Sequence, residues 1–194
     1  PEYISIVGIQ LPITHVFKLS TFSNMIEILD DYKKTDYKFK FAEIGAGWGA
    51  VASIFIGQDM LSSYTDIDIP ETLVLGATYL TNCYPKLSSV VQSNEISESS
   101  FFNFCMPNFT AKLDKKFDIV LNEASLAEMP KETALAYIDW VADHLDKDGI
   151  FFWNNGRNRS SAKDVTQRMS EYNLSRFKPI AIKPQRGRAK LQND

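Results

Sequence analysis

The sequence contains little of what cross-links a fold or binds a metal, with two cysteines and two histidines among 194 residues. Two cysteines, Cys83 and Cys105, are too few for a disulfide framework, and they suit the reducing cytosol. We predict that both side chains are small buried apolar groups rather than nucleophiles. No group of His, Cys, Asp or Glu residues has the spacing of metal ligands, so we predict no metal site.

Long apolar runs are absent as well. No run approaches the roughly 18 residues that a membrane-spanning helix needs, and the first residues do not resemble a signal peptide. We therefore expect a cytoplasmic protein with no transmembrane segment. The length and the 44% hydrophobic content are ordinary for one globular domain, which we assign to residues 1–194, with a helical N-terminal segment at residues 1–36. The chain begins with Pro1 rather than a methionine, which is compatible with a fragment of a longer protein.

Arginine is missing from the sequence before Arg157, and all six arginines follow from there on. Residues 1–150 carry 11 Lys and Arg against 21 Asp and Glu, whereas residues 151–194 carry 10 against 3. The basic C-terminal part indicates either a solvated tail or a surface for an anionic substrate, because guanidinium groups bind phosphates and carboxylates in a bidentate manner. Basic residues do not alternate with aromatic ones, so we expect no nucleic-acid partner.

The most informative segment is residues 41–50, in which an apolar strand leads into Glu43, then Gly45, Gly47 and Gly49, and then a helix. Glycines let the backbone turn tightly and approach a ligand, and the N–H groups of the helix N-terminus face that ligand. The segment satisfies both the G-x-G-x-x-A pattern of dinucleotide-binding proteins and the pattern E-x-G-x-G-x-G. A carboxylate at Glu43 can pair with the amino group of a methionine moiety but would repel a pyrophosphate. The segment therefore favours S-adenosylmethionine (SAM) over NAD.

Predicted helices and strands alternate along the whole chain. This pattern is typical of a doubly wound α/β fold, with a mostly parallel sheet and helices on both faces. The Ser-rich residues 86–100 remain unassigned, and the next predicted strand begins at Phe101. The predicted strands span residues 38–44, 62–67, 101–106, 117–121, 150–153 and 177–183, and the predicted helices span residues 20–33, 48–57, 70–83, 130–145 and 160–172.

Polar residues follow the carboxyl ends of two of these strands, where ligands bind in open α/β sheets. Asp68 lies 19 residues after Gly49, close to the spacing at which an acidic residue accepts hydrogen bonds from a cofactor ribose. Asp66 is the alternative, and we favour Asp68 because it directly precedes the next helix. Asn122 and Glu123 follow the strand at residues 117–121, which indicates a role for both in the site.

Several of these segments together resemble the sugar O-methyltransferases, a family within the class I SAM-dependent methyltransferases. The resemblance covers roughly residues 40–155 and implies a Rossmann-like class I methyltransferase fold with SAM as the cofactor. It rests on residues 41–50, on Asp68, Ile69, Pro70 and Glu71 with Tyr79 and Leu80, on residues 117–122 with Ser125, Glu128 and Met129, and on Asn154 and Asn155.

The resemblance also implies which residues hold the cofactor. The methionine end would lie against Glu43, Gly45, Ala46, Gly47 and Gly49, the ribose against Asp68, the adenine against Cys105 and Met106, and the methyl-donor side against Asn122. In this fold the N-terminal segment can close over the cofactor as a lid. The superfamily usually ends with an antiparallel hairpin of two strands, whereas only the strand at residues 177–183 is predicted here.

The reaction that these features imply is methyl transfer from SAM to a hydroxyl of a small-molecule sugar or a sugar conjugate. A hydroxyl is a poor nucleophile, and a general base contributes about 10²–10⁴-fold. We rank Glu128 and His15 first as the base, and we assign Glu123, Arg157 and Arg159 to the substrate. One alternative is an NAD-dependent oxidoreductase, but Tyr137 is not followed four residues later by the Lys of a catalytic Tyr–Lys pair. The other alternative is a non-catalytic SAM-binding domain. The oligomeric state stays open.

Overall fold

The structure is a computed structural model and describes residues 3–6, 9–32, 38–92, 100–154 and 172–180. Strands and helices alternate in it, as the sequence predicts. In chain order the elements are β1 (Tyr3–Ile6), β2 (Ile9–Pro12), α1 (Ile13–Tyr32), β3 (Phe39–Ile44), α2 (Ala50–Gly57), β4 (Leu61–Ile67), α3 (Pro70–Cys83), β5 (Ser89–Gln92), β6 (Phe102–Cys105), β7 (Phe117–Glu123), α4 (Lys131–His144) and β8 (Leu145–Asn154).

Six of these strands form one sheet in the order β5-β6-β4-β3-β7-β8. Every neighbouring pair in this sheet is parallel. From β3 the chain moves outward on one side through β4, and it returns to the other side of β3 with β7. Ligands of open α/β sheets bind beyond the carboxyl ends of the strands at such a switch point, so the topology indicates a site next to the end of β3.

Both faces of the sheet are buried, which confirms the predicted doubly wound fold. Strand β3 shows why, because Phe39 and Phe41 pack on one face, while Ala42 and Ile44 pack on the other. Apolar residues on both sides of a strand are typical of a parallel sheet that helices cover on each face. The first face is covered by α1, α2 and α3 through residues such as Leu29, Phe55 and Leu80, and the second by α4 through Ala134, Ile138 and Val141.

The N-terminal segment differs from the sequence prediction. An antiparallel hairpin of β1 and β2 comes first, and α1 then begins at Ile13 rather than at Ser20. The added turns carry His15 and Lys18, which make ring and polar contacts with the rest of the protein instead of extending the apolar stripe. Hydrophobic periodicity therefore could not find them. None of the described helices combines the length and the apolar composition needed to cross a membrane.

Other element boundaries also need correction. Strand β7 includes Asn122 and Glu123, which were predicted to follow it, because they pair with Trp153 and Asn154 of β8. Strand β8 already begins at Leu145, so the predicted turn at residues 148–149 lies inside a strand whose pairing with β7 shifts register. The unassigned Ser-rich stretch contains β5.

The predicted last strand is wrong in the part that the structure describes. Residues 177–180, the described part of the predicted last strand, are not a strand, and residues 181–183 lie outside the described residues. The predicted helix at residues 160–172 lies outside them as well, apart from Tyr172. The prediction of two buried cysteines holds for Cys105 but is wrong for Cys83, which is exposed at the end of α3.

Candidate functional site

The loop between β3 and α2 contains three glycines in left-handed backbone conformations. The φ angles are 73° at Gly45, 66° at Gly47 and 76° at Gly49. Residues other than glycine rarely adopt these angles, so the sequence pattern and the local geometry agree. The loop is held by a hydrogen bond of 2.8 Å from the Gly45 N–H to the Ile67 carbonyl of β4.

The three glycines have different surroundings. A Cβ atom at Gly45 would lie 2.2 Å from the Oγ of Ser125, and one at Gly49 would lie 2.7 Å from a methyl carbon of Leu80. At Gly47, no atom of the described residues outside its chain neighbours lies within 4 Å of such a Cβ. Gly45 and Gly49 are therefore required by packing, whereas Gly47 faces open space. This open turn is where a ligand can approach the backbone closely.

Asp68 borders this open turn. Its Oδ2 accepts a hydrogen bond of 3.1 Å from the Gly47 N–H, and its Oδ1 accepts one of 2.8 Å from the Ile69 N–H. The side chain is half-buried, and burial raises the pKa of its carboxyl despite these two bonds. The favoured of the two acidic candidates thus lies at the glycine loop.

The other candidate, Asp66, is completely buried. Neither of its carboxylate oxygens has a hydrogen-bond partner among the described residues. Burial raises the pKa of this carboxyl well above its ordinary value, and the charges of Glu43 and Asp68 raise it further. A Cβ atom added to Gly76 of α3 would lie 2.8 Å from the Asp66 Oδ2, so Asp66 packs directly against α3.

Glu43 lies beside Asp66 on the neighbouring strand and is also buried. Its Oε2 accepts a hydrogen bond of 2.9 Å from the hydroxyl of Tyr64. Burial raises the pKa of Glu43 to about 7, although the Tyr64 bond and the positive charge of Lys18 act in the opposite direction. A carboxyl with such a pKa is half-ionised near neutrality, so its charge responds to any cation that binds nearby.

Asn122 joins the carboxyl ends of β7 and β3. Its Nδ2 donates a hydrogen bond of 2.9 Å to the carbonyl of Ile44, and the Ser125 hydroxyl donates one of 2.8 Å to the same carbonyl. The Asn122 side chain is fully buried, and its Oδ1 accepts a hydrogen bond from the Leu126 N–H at 3.4 Å. In this arrangement Asn122 fixes the strand ends behind Gly45, and its lining of the methyl-donor side stays a prediction.

Cys105 ends β6, the strand next to β4, and Met106 follows it directly; their place beside the adenine stays a prediction. The Cys105 carbonyl accepts a hydrogen bond of 3.3 Å from the Asp68 N–H, which ties this strand end to the acidic residue. The Cys105 thiol is buried, and burial raises its pKa to about 12, so it is not a thiolate at neutral pH. Met106 is half-buried, which leaves part of its side chain accessible at this edge.

Glu123, predicted to contact substrate, is engaged by the protein itself. Its carboxylate forms an ion pair with Lys18 and accepts hydrogen bonds from the Thr21 hydroxyl at 2.6 Å and from the Asn154 Nδ2 at 3.1 Å. These contacts tie α1 to the ends of β7 and β8. Lys18 and Thr21 could not be found from the sequence, because no local pattern marks partners that are more than 100 residues from Glu123 along the chain.

The two candidate bases lie at different places. The ring of His15 lies 5.1 Å from that of Trp48 in the glycine loop, and its buried Nδ1 has no hydrogen-bond partner among the described residues. Glu128 is exposed in the 3-10 turn Ser125–Glu128, which follows β7. Arg157 and Arg159 lie outside the described residues. Across the described residues, no group of three or more His, Cys, Asp or Glu side chains could hold a metal ion.

Removal of the Glu123 carboxylate is expected to loosen α1. In a Glu123→Ala variant, Lys18, Thr21 and Asn154 lose their shared acceptor, and hydrogen bonds to a charged group contribute about 1.5–3 kcal/mol. We expect amide hydrogen exchange in α1 to become faster than in the wild type, while the exchange in α4 stays unchanged. The control is Asp59→Ala, which removes the exposed ion pair with Lys38. Equal exchange rates of α1 in the wild type and Glu123→Ala would contradict this assignment.

Comparison with known proteins relates the fold to solved structures. No family model matches the chain, and no curated protein matches it in sequence. DesVI of Streptomyces venezuelae superposes with a TM-score of 0.52 and 13% identity, over 76% of this chain and 54% of that chain. PKMT2 of Rickettsia typhi, crystallised with AdoHcy, gives a TM-score of 0.51 and 15% identity, over 70% of this chain and 24% of that chain.

A third structure, from Galdieria sulphuraria, is provisionally described as a sarcosine dimethylglycine methyltransferase. It gives a TM-score of 0.50 and 15% identity over 66% of this chain and 43% of that chain. The chain thus spans about half or less of the length of each of these proteins. Together with the parallel sheet and the glycine loop at its switch point, these similarities show that the chain has the Rossmann-like α/β fold of class I SAM-dependent methyltransferases.

Proposed function

We propose that this protein binds SAM at the glycine loop and transfers its methyl group to a hydroxyl of an acceptor molecule. The observation that carries the proposal is the open left-handed turn at Gly47, whose N–H is bonded to the carboxylate of Asp68. Asp68 borders this turn, and the buried carboxyls of Glu43 and Asp66 lie side by side near the ends of β3 and β4. This arrangement suits a ligand with positive charge better than a pyrophosphate. SAM brings a methyl group that its sulfonium already activates.

The residues of the loop have separate tasks in this proposal. Asp68 accepts hydrogen bonds from the ribose hydroxyls, in exchange for its bonds to the backbone of the loop. The buried charge of Glu43 attracts the ammonium group of the methionine moiety. The side chain of Met106 covers one face of the adenine, since it is partly accessible at the neighbouring strand end. The N–H groups at the start of α2 face the carboxylate of the ligand.

The acceptor is proposed to be a sugar or sugar-conjugate hydroxyl, on the strength of the sequence resemblance. Methyl transfer to such a group requires alignment with the S–CH₃ bond and removal of the hydroxyl proton. Of the two candidate bases, His15 is favoured by its position against Trp48 and by its unpartnered Nδ1. Glu128 remains the second candidate. Arg157 and Arg159 are proposed to contact an anionic group of the acceptor.

The test is calorimetric titration of the purified protein with SAM, S-adenosylhomocysteine (SAH) and NAD in parallel. We expect micromolar binding of both adenosyl ligands and an affinity at least about 10-fold lower in Asp68→Ala, since two charge-assisted hydrogen bonds are lost. Asp59→Ala is the control, because this exposed carboxylate pairs with Lys38 away from the loop. Binding of NAD alone would indicate an oxidoreductase. SAM binding without turnover on a sugar panel would indicate a non-catalytic domain.

A further inference from the structure

Two buried carboxyl groups lie side by side directly below the proposed cofactor loop. Glu43 of β3 and Asp66 of β4 are partners in the parallel ladder, so both side chains lie on the same face of the sheet. Glu43 is 4% exposed and Asp66 is 0% exposed. Two buried carboxylates on adjacent strands repel each other, and a shared site of this kind holds at least one proton.

Asp66 is the more unusual member of this pair. A buried polar group without a partner costs free energy, and a buried ionised carboxylate without one costs more. Neither oxygen of Asp66 has a hydrogen-bond partner in the part of the chain that the structure describes, and the Tyr64 hydroxyl on the same strand donates to Glu43 instead. A Cβ at Gly76 would lie 2.8 Å from Asp66 and 3.1 Å from the Gly47 carbonyl, so Asp66 lies next to the glycine loop where it meets α3.

Among the described residues, the charged groups near the pair come from α1, β7 and the end of β4. Lys18 of α1 lowers the pKa of Glu43, but it is already paired with Glu123 of β7, whose negative charge raises the pKa of Glu43. Asp68, at the end of β4, adds a further negative charge to Asp66. The other titratable groups near Asp66 are the Tyr64 hydroxyl and the Cys105 thiol, both uncharged at neutral pH because burial raises their pKa values. Within the described residues the charge near the pair is therefore mainly negative, which disfavours ionisation of both carboxyls.

We propose that the Glu43–Asp66 pair holds a proton in the free protein and releases it when a ligand with an ammonium group binds at the glycine loop. This inference rests on the proposed function, because the ammonium group belongs to the methionine moiety of SAM or SAH. The proton leaves a carboxyl oxygen for the solvent, and the resulting carboxylate stabilises the ligand's positive charge. The pair thus selects ammonium-bearing adenosyl ligands over neutral ones, and Asp66 is a specificity-determining residue that acts through Glu43.

The pKa values of both carboxyls support this coupling. Burial raises the pKa of Glu43 to about 7, and burial together with the charge of Glu43 raises that of Asp66 well above the ordinary value. Below pH 7 Glu43 is therefore mostly protonated, and ligand binding then requires loss of a proton. The affinity for an ammonium-bearing ligand should therefore rise with pH, by at most about 10-fold per pH unit for one released proton.

The experiment is titration calorimetry at pH 6.5 in buffers with different ionisation enthalpies, which counts the protons released on binding. SAH carries the ammonium group, and 5′-methylthioadenosine, a neutral adenosyl ligand without it, is the matched comparison. We expect release of about half to one proton with SAH and none with 5′-methylthioadenosine. In Asp66→Asn and Glu43→Gln the release should decrease, and in the control Asp59→Asn it should match the wild type.

The outcomes separate this inference from the proposed function. SAH binding without proton release would overturn the inference and leave the cofactor site standing. Absence of SAM and SAH binding would overturn the proposed function. An independent measurement on the free protein is an NMR titration of the side-chain carboxyl carbons of Glu43 and Asp66. We expect at least one of them to titrate with a pKa clearly above the ordinary carboxyl value, and ordinary pKa values at both would overturn the inference whatever ligand binds.

Discussion

Replacement of Gly47 by alanine is expected to weaken SAM binding by about 100-fold or more, because the new methyl group occupies the open turn that the ligand must approach. The fold should lose only about 1–2 kcal/mol, the cost of a left-handed conformation at a residue with a Cβ. No atom of the described residues outside its chain neighbours lies within 4 Å of that Cβ, so no packing is disturbed. Calorimetric titration with SAM and urea denaturation measure the two effects separately.

Two matched variants sharpen this prediction. Gly57→Ala adds a methyl group at the end of α2, 3.8 Å from the nearest atom and far from the loop, and it should leave SAM binding unchanged. Gly45→Ala should lose more stability than Gly47→Ala, because its Cβ would lie 2.2 Å from the Ser125 Oγ. Adding Ser125→Gly should recover part of that loss, since the nearest remaining Ser125 atom is at 3.8 Å. Unchanged SAM affinity in Gly47→Ala would show that the ligand does not bind at this turn.

The stability of the free protein is expected to fall as the pH rises from about 4.5 to above 7, in part because of Glu43. Burial raises the pKa of Glu43 from 4.5 to about 7, so folding favours its protonated form. The stabilisation is fully present below the unfolded-state pKa and is lost as the pH rises through the folded-state value. This shift corresponds to an upper bound of about 3 kcal/mol. The buried Asp66 acts in the same direction.

The Glu43→Gln and Asp66→Asn variants test this directly. Each replaces a buried carboxyl with a neutral amide of similar shape, so each variant should be more stable than the wild type at pH 8 and about as stable at pH 4.5. Urea denaturation at the two pH values gives the free energies of unfolding. Asp59→Asn, at an exposed position, should follow the wild type. A wild-type stability that does not change over this range would contradict the prediction.

The buried carboxyls that destabilise the free protein at neutral pH are the groups that the positive charge of the proposed ligand would stabilise. At neutral pH Glu43 is partly ionised in a buried position, and Lys18, the cation near it among the described residues, is already paired with Glu123. Strain and unpaired charge of this kind are typical of functional sites rather than of structural cores. A bound cationic ligand removes the penalty, so SAM should raise the melting temperature more at pH 8 than at pH 5.

The sequence by itself determined the fold class, the glycine loop and the position of Asp68 beside it. These features depend on local chemistry. Alternating apolar segments specify strands and helices, glycines permit left-handed turns, and an acidic residue that ends a strand in this topology comes to the loop. The structure confirms each segment within two residues for β3, β4, α3 and β6. Local rules succeed here because each element buries its own apolar face.

The tertiary structure alone decided which polar side chains are available to a ligand. Glu123 and Asn122 both follow an apolar segment in the sequence, yet the first binds Lys18 and Thr21 of α1 and the second bonds the end of β3. Partners this distant along the chain leave no local pattern. In the same way, the three glycines of the loop look equivalent in the sequence. They differ in the structure because Ser125 packs against Gly45 and Leu80 packs against Gly49. The unpartnered carboxyl of Asp66 likewise depends on what β3, β6 and α3 bring around it, because burial and pairing are properties of the assembled fold.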